Sequence, residues 1–153
     1  NQEKSKVNTN VLVQKVISDL DTSIAEKKAQ IDVENLPTIT GYEIDLRLVI
    51  QNLISNAIKF SRPNTQPVIK ISCVETKTEH QFEISDNGIG IDPKYFDQIF
   101  VIFKTLHGRS NYKGTGIGLA HCKKAIELQE GRIWVESKVN EGTSFFFTIP
   151  KNQ

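Results

Sequence analysis

Asn52, Asn56 and Lys59 recur within Asn52-Leu-Ile-Ser-Asn56-Ala-Ile-Lys59-Phe60. At about 100° per residue of helix they share a sector of about 60°. Leu46, Val49, Ile50, Leu53 and Ala57 fill the adjoining sector, so such a helix buries one side and presents two amides and an ammonium at its edge. An Asn oxygen is a hard, neutral ligand suited to Mg²⁺, which keeps several waters and takes further ligands from phosphates. On its own this face would read as ordinary solvated surface, where Asn and Lys abound.

Two further stretches change that reading. Asp86 ends a strand-like run in which Phe82 and Ile84 share its parity, so period-two alternation turns its carboxylate toward the core side. A carboxylate there needs a donor. The exocyclic amine of adenine is one, whereas guanine presents an acceptor at that position. Gly88 and Gly90 follow at once and are expected to allow close backbone approach and positive φ beside the carboxylate. Gly114-Thr115-Gly116-Ile117-Gly118-Leu119 then opens a helix, where free N–H groups and the positive end of the dipole attract phosphate oxygens. No Gly-Lys-Ser/Thr follows, and the Gly-x-Gly-x-Gly spacing is not that of a dinucleotide fingerprint. An Asp-Asn-Gly turn or a glycine run means little alone. Three motifs of different chemistry in this order predict a site for Mg-ATP.

The elements that must position these groups follow from periodicity. Apolar residues from Leu12 to Ile24 keep helical spacing behind Asn8 as N-cap, after a polar lead-in over residues 1–5 and an edge strand near Lys6-Val7. Ile31 and Val33 alternate as in a strand, and a second helix runs from Glu43 to Phe60. Val68 to Glu75 and Gln81 to Asp86 form a hairpin. Asp92-Pro93 caps a short helix carrying Phe96, Ile99, Phe100 and Phe103, and the polar run from Lys104 to Lys113 reads as a mobile loop. A third helix, Ile117 to Glu130, ends at Gly131, before strands Arg132–Glu136 and Thr143–Ile149. The pattern predicts an α/β (α+β) two-layer sandwich, a mixed and mostly antiparallel sheet covered on one face by three helices.

One domain over residues 1–153 is the default for 153 residues with 38% hydrophobic content. A net charge of +1 argues against nucleic acid or an anionic membrane as partner. Cys73 and Cys122 are neither a disulfide framework nor a metal cluster, which points to a reducing, cytoplasmic setting. With no methionine and an Asn1-Gln-Glu-Lys start, the chain is expected to be a fragment of a longer product, any membrane anchor of which would lie upstream.

The motifs from Lys6 to Pro150 resemble the catalytic and ATP-binding domain of sensor histidine kinases, within the gyrase, heat-shock chaperone, histidine kinase and mismatch-repair ATPase superfamily. Leu106-His-Gly-Arg and Gly114–Ala120 look especially like kinases that follow light-sensing or PAS-type input domains. The resemblance implies a Bergerat-type fold, Asn56 as metal ligand, Lys59 on the triphosphate, Phe60 near the base, and Thr143 at the adenine end. It places Thr115 and Leu119 with Gly114, Gly116 and Gly118 in the phosphate cradle. It also implies γ-phosphoryl transfer to a histidine on a separate dimerisation domain, and a response regulator as onward partner. Asn52 stands where hydrolytic relatives carry a glutamate that activates water.

The chain departs from the family where Glu-Pro and an arginine are usual: it has Val101-Ile102 and Lys104-Thr105. Lys104, Arg109 and Lys113 are alternative cations for the γ-phosphate, each equally readable as solvated loop. His80, His107 and His121 read as surface residues, none in a phosphoacceptor segment, with His121 facing solvent at a subunit contact. Two rival functions stay open: an ATP hydrolase of the same superfamily, and a nucleotide-sensing docking module without chemistry.

Overall fold

The computed structural model describes residues 3–101 and 115–151, with the backbone alone for 115–118. Strand β1 (Ser5–Asn8) leads into helix α1 (Thr9–Asp19), whose N-cap Asn8 accepts a hydrogen bond from Val11 N at 3.2 Å. The single helix expected from Leu12 to Ile24 is divided: α2 (Asp21–Lys27) restarts beyond Leu20, which has φ −102° and ψ 16°. Leu20 N donates to both Val16 O and Ile17 O, a tightened last turn. Apolar spacing is blind to this break, because Ile24 still packs against the core.

β2 (Gln30–Val33) is followed by a strand that the sequence reading lacked, β3 (Thr38–Gly41). Thr-Ile-Thr offers only one buried apolar residue, Ile39, too little for an alternation signal. β3 pairs antiparallel with β1, Val7 opposite Ile39, in a separate two-stranded sheet. The main sheet has the order β2-β4-β5-β7-β6, from β4 (Val68–Glu75), β5 (Glu79–Asp86), β6 (Ile133–Lys138) and β7 (Gly142–Pro150). Only the β2–β4 pairing is parallel.

Helices α3 (Glu43–Lys59) and α4 (Thr115–Glu127) lie against the sheet, and α1 packs on α3. Leu46, Val49, Ile50, Leu53, Ile54, Ala57 and Ile58 of α3 meet the inward residues Ile69, Ile71, Phe82, Ile84, Phe145 and Phe147. Burying each large side chain contributes roughly 1.5–3 kcal/mol. Phe82 and Phe147 stack across β5 and β7 with centroids 4.9 Å apart. The two-layer architecture thus stands, with four α-helices among the described residues because the first is split.

Local details hold the frame. Buried Gln129, just beyond α4, accepts from Tyr42 N at 3.0 Å and donates to Ala125 O at 3.2 Å, joining the ends of two helices. The turn after α4 puts the left-handed residue at Glu130, φ 65°, one place before the expected Gly131, whose N–H closes onto Ile126 O. The short helix after Asp92 is a 3-10 turn over Pro93–Tyr95, capped by Asp92 through Lys94 N at 3.0 Å. His80 corrects an expectation. β5 begins earlier than foreseen, which gives His80 the inward parity of Phe82, and its Nδ1 is buried without a hydrogen-bond partner among the described residues. Burial lowers its pKa, while His121 is exposed as expected. Both cysteines are free, and burial pushes Cys73 up to about 11 and Cys122 to about 12. No helix among the described residues is long and apolar enough to cross a membrane.

Candidate nucleotide-binding site

The end of β5, the C-terminal half of α3, the start of α4 and the start of β7 converge on one pocket of about 410 Å³, including its open mouth. Asn56, Phe60, Asp86, Gly90, Leu119 and Thr143 line it, all of them foreseen from the sequence. Ile89, Ile91, Ile99 and Phe145 complete the wall and were not foreseen. Their signal was weak: Ile91 and Ile99 lie outside long elements, and Phe145 is one of three consecutive phenylalanines in β7. Phe100 supports that wall, meeting Phe145 edge-on at 6.2 Å.

Asp86 is the polar centre of this apolar lining. Alternation along β5 does turn it to the side of Phe82 and Ile84, and β-pairing sets it opposite Thr143. Its Oδ1 accepts from Gly88 N at 2.8 Å and Thr143 N at 3.3 Å. Oδ2 has no hydrogen bond among the described residues. Burial pushes the carboxyl up from 3.8 to about 6, against the two backbone N–H bonds that pull it down. A group that is costly to ionise and has a spare acceptor is one that a ligand's N–H can satisfy.

The glycines beside it have distinct causes. A Cβ on Gly88 would sit 2.4 Å from Phe60 O, so its role is close approach, and its φ is not positive as had been expected. Gly90 does have positive φ, 78°, and faces Lys138 O. Ile89 N donates to Phe60 O at 2.9 Å, which clips this loop to the end of α3. Asn87 is a brace: its Oδ1 accepts from Val68 N, its Nδ2 donates to Gln66 O, and its carbonyl receives Arg62 Nε at 2.8 Å.

The other site residues stand apart from the pocket wall. Asn52 donates to Leu48 O of its own helix at 2.8 Å. Lys59 is exposed, its Nζ 5.8 Å from the Phe60 ring centroid. α4 opens at Thr115, so Gly116 and Gly118 occupy its first turn as a helix-start cradle requires. Lys104, Arg109, Lys113, Gly114 and His107 lie outside the described residues.

Residues 41–153 match the family described as histidine kinase-, DNA gyrase B- and HSP90-like ATPases. The chain belongs to this ATPase family. Within it, the likenesses fall on histidine kinases. The chain is 51% identical over 136 residues to cyanobacterial phytochrome A of Nostoc, covering 89% of this chain and 18% of that protein. It is 38% identical over 146 residues to the adaptive-response sensory kinase SasA of Synechococcus elongatus, covering 91% and 36%. The nucleotide-free catalytic domain of the histidine kinase ThkA superposes with a TM-score of 0.82 at 27% identity, covering 97% of this chain and 98% of that one. The domain is therefore of the histidine kinase catalytic type. It spans less than a fifth of the phytochrome's length.

The pocket joins an apolar lining to a carboxylate oxygen without a hydrogen bond among the described residues, and α4 opens four residues before the lining residue Leu119.

Proposed function

We propose that this chain binds Mg-ATP and serves as the catalytic part of a sensor histidine kinase, with a histidine on a separate dimerisation domain as acceptor and a response regulator beyond it. The observation that carries this reading is Asp86, a carboxylate in an apolar pocket with one oxygen that has no hydrogen bond among the described residues. It selects a base edge that donates.

Bound ATP supplies the phosphoryl group, and the chain's residues hold and neutralise it. Asn56 lines the pocket and offers an amide oxygen to a cation. Among the described residues no group of three His, Cys, Asp or Glu could hold a metal ion, so a cation here would rely on Asn56, water and phosphate oxygens. Lys59 and the N–H groups at the start of α4 supply positive charge where phosphates would lie. Asn52 separates the kinase reading from the hydrolase one. An amide does not take a proton at neutral pH, so no general base stands one turn before Asn56.

The test is incubation of the domain with Mg-ATP and a supplied histidine-bearing dimerisation segment. Acid-labile phosphate should appear on the segment alone. Rapid phosphate release without transfer would establish the hydrolase, and tight binding with neither would establish the docking module.

A further inference from the structure

Ser137 of β6 was no part of the sequence-level site, yet its hydroxyl sits at a junction of three groups. Its Oγ lies 2.8 Å from Ile91 N, 2.8 Å from Gly142 O and 2.8 Å from Thr143 Oγ1. A hydroxyl has one proton and two lone pairs to distribute. The Ile91 N–H can only donate, and the Gly142 carbonyl can only accept. Ser137 therefore gives its single proton to Gly142 and accepts from Ile91. Its remaining lone pair faces Thr143, which must be the donor. The opposite arrangement, Ser137 donating to Thr143, would leave Ser137 Oγ and Gly142 O in contact with no proton between them.

The consequence falls on the pocket. Thr143 is 7% exposed and lines the pocket beside Asp86, on whose Oδ1 its own N–H rests. With its hydroxyl proton committed to Ser137, Thr143 Oγ1 has only lone pairs left. Asp86, ionised, is likewise acceptor-only. We propose that Ser137 is a specificity-determining positioning residue: by fixing the direction of the Thr143 hydroxyl it sets a second acceptor beside Asp86, a pair that accepts from the two N–H bonds of a 6-amino group and repels the oxygen of a 6-oxo group. The proposal rests on the adenine reading above and assigns part of the base selectivity to a residue that does not line the pocket.

Ser137 also ties the glycine loop to the β6–β7 hairpin through Ile91, so its loss can loosen the site without any role in selection. The ratio of affinities for ATP and inosine triphosphate separates the two, because loosening weakens both nucleotides together. In Ser137→Ala, Thr143 is free to rotate and donate, and the ATP preference should fall about tenfold, the worth of one hydrogen bond. Ser137→Thr keeps the hydroxyl and should keep the ratio. If Ser137→Ala does not fold, Thr143→Val, which keeps the shape but removes the acceptor, should lower the ratio likewise. Equal calorimetric losses for both nucleotides in Ser137→Ala, or an unchanged ratio in Thr143→Val, would overturn the proposal. Wild-type protein that binds the two nucleotides equally would instead refute the adenine reading itself.

Discussion

At one end of the site, Asp86 and Thr143 are fixed by strand pairing and by backbone N–H groups, Gly88 donating to Asp86 beside them; at the other, along one edge of α3, half-buried Asn56 lines the pocket while half-buried Asn52 and exposed Lys59 stand apart from its wall. The first end is rigid and partly desolvated, so a small change in polarity there has a large effect. The second is wet, and its charges act through screened water. Under the proposed function the two ends have two tasks: the desolvated one reads which base is present, and the exposed one reads how much negative charge follows it.

The largest effect is expected at the exposed end, through chemistry that is missing. Asn52→Glu would place a carboxylate one turn before Asn56, where a general base contributes about 10²–10⁴-fold to hydrolysis. Wild-type domain should turn over ATP slowly, and the variant faster by some part of that range in a steady-state phosphate-release assay. Fast wild-type turnover, indifferent to this residue, would reject the assignment of Asn52.

Next comes the desolvated end. Asp86→Asn keeps an oxygen for Gly88 N and Thr143 N but puts a donor where a base amine needs an acceptor. Affinity for ATP should fall by about 10–100-fold, the usual worth of a charge-assisted hydrogen bond. Stability should move the other way. Between 3.8 and about 6 the native state holds this proton more tightly than the unfolded chain does, so Asp86 lowers the unfolding free energy as pH rises through that window. The charged carboxylate then costs about 1–3 kcal/mol at neutral pH, which the variant should recover in thermal melts at pH 7. ATP affinity of the wild type should weaken as pH falls below about 6. A variant both weaker in binding and less stable would show that Asp86 is a structural residue.

The same contrast explains what the sequence disclosed. Asp86 was legible because a strand's parity is written locally, three residues of one side in five. The shared edge of Asn52, Asn56 and Lys59 was legible for the same reason on a helix, and of the three only Asn56 lines the pocket. What stayed hidden depends on distant register: Ser137 meets Ile91 across 46 positions, Gln129 meets Tyr42 across 87, and no local pattern encodes either. β3 was missed because its stabilisation comes from β1 rather than from its own alternation. The split between α1 and α2 was missed because a tightened turn leaves the apolar spacing intact.

Gly88 tests the rigidity claimed for the desolvated end. Its added methyl would meet Phe60 O at 2.4 Å, and that carbonyl is already held by Ile89 N. Neither partner can yield without breaking the clip between α3 and the loop. Gly88→Ala should cost about 1–3 kcal/mol in denaturant unfolding, the range for overpacking. A variant of unchanged stability would mean that this loop is softer than its contacts imply.

The smallest effect is expected at Lys59, and it sharpens the comparison most directly. An exposed ammonium interacting with phosphates through water contributes in the range of exposed ion pairs, about 0.2–1 kcal/mol. Lys59→Ala should therefore weaken ATP by about two- to fivefold. Adenosine carries no phosphate, so its affinity should not change, and raising the salt concentration should erode the wild-type advantage. The Phe60 ring is a competing explanation, since Lys59 Nζ lies over it at 5.8 Å and its removal also uncovers an aromatic face of the base pocket. That route predicts equal losses for adenosine and ATP, insensitive to salt. Calorimetry with both ligands at two ionic strengths distinguishes charge sensing from packing at the edge of the pocket.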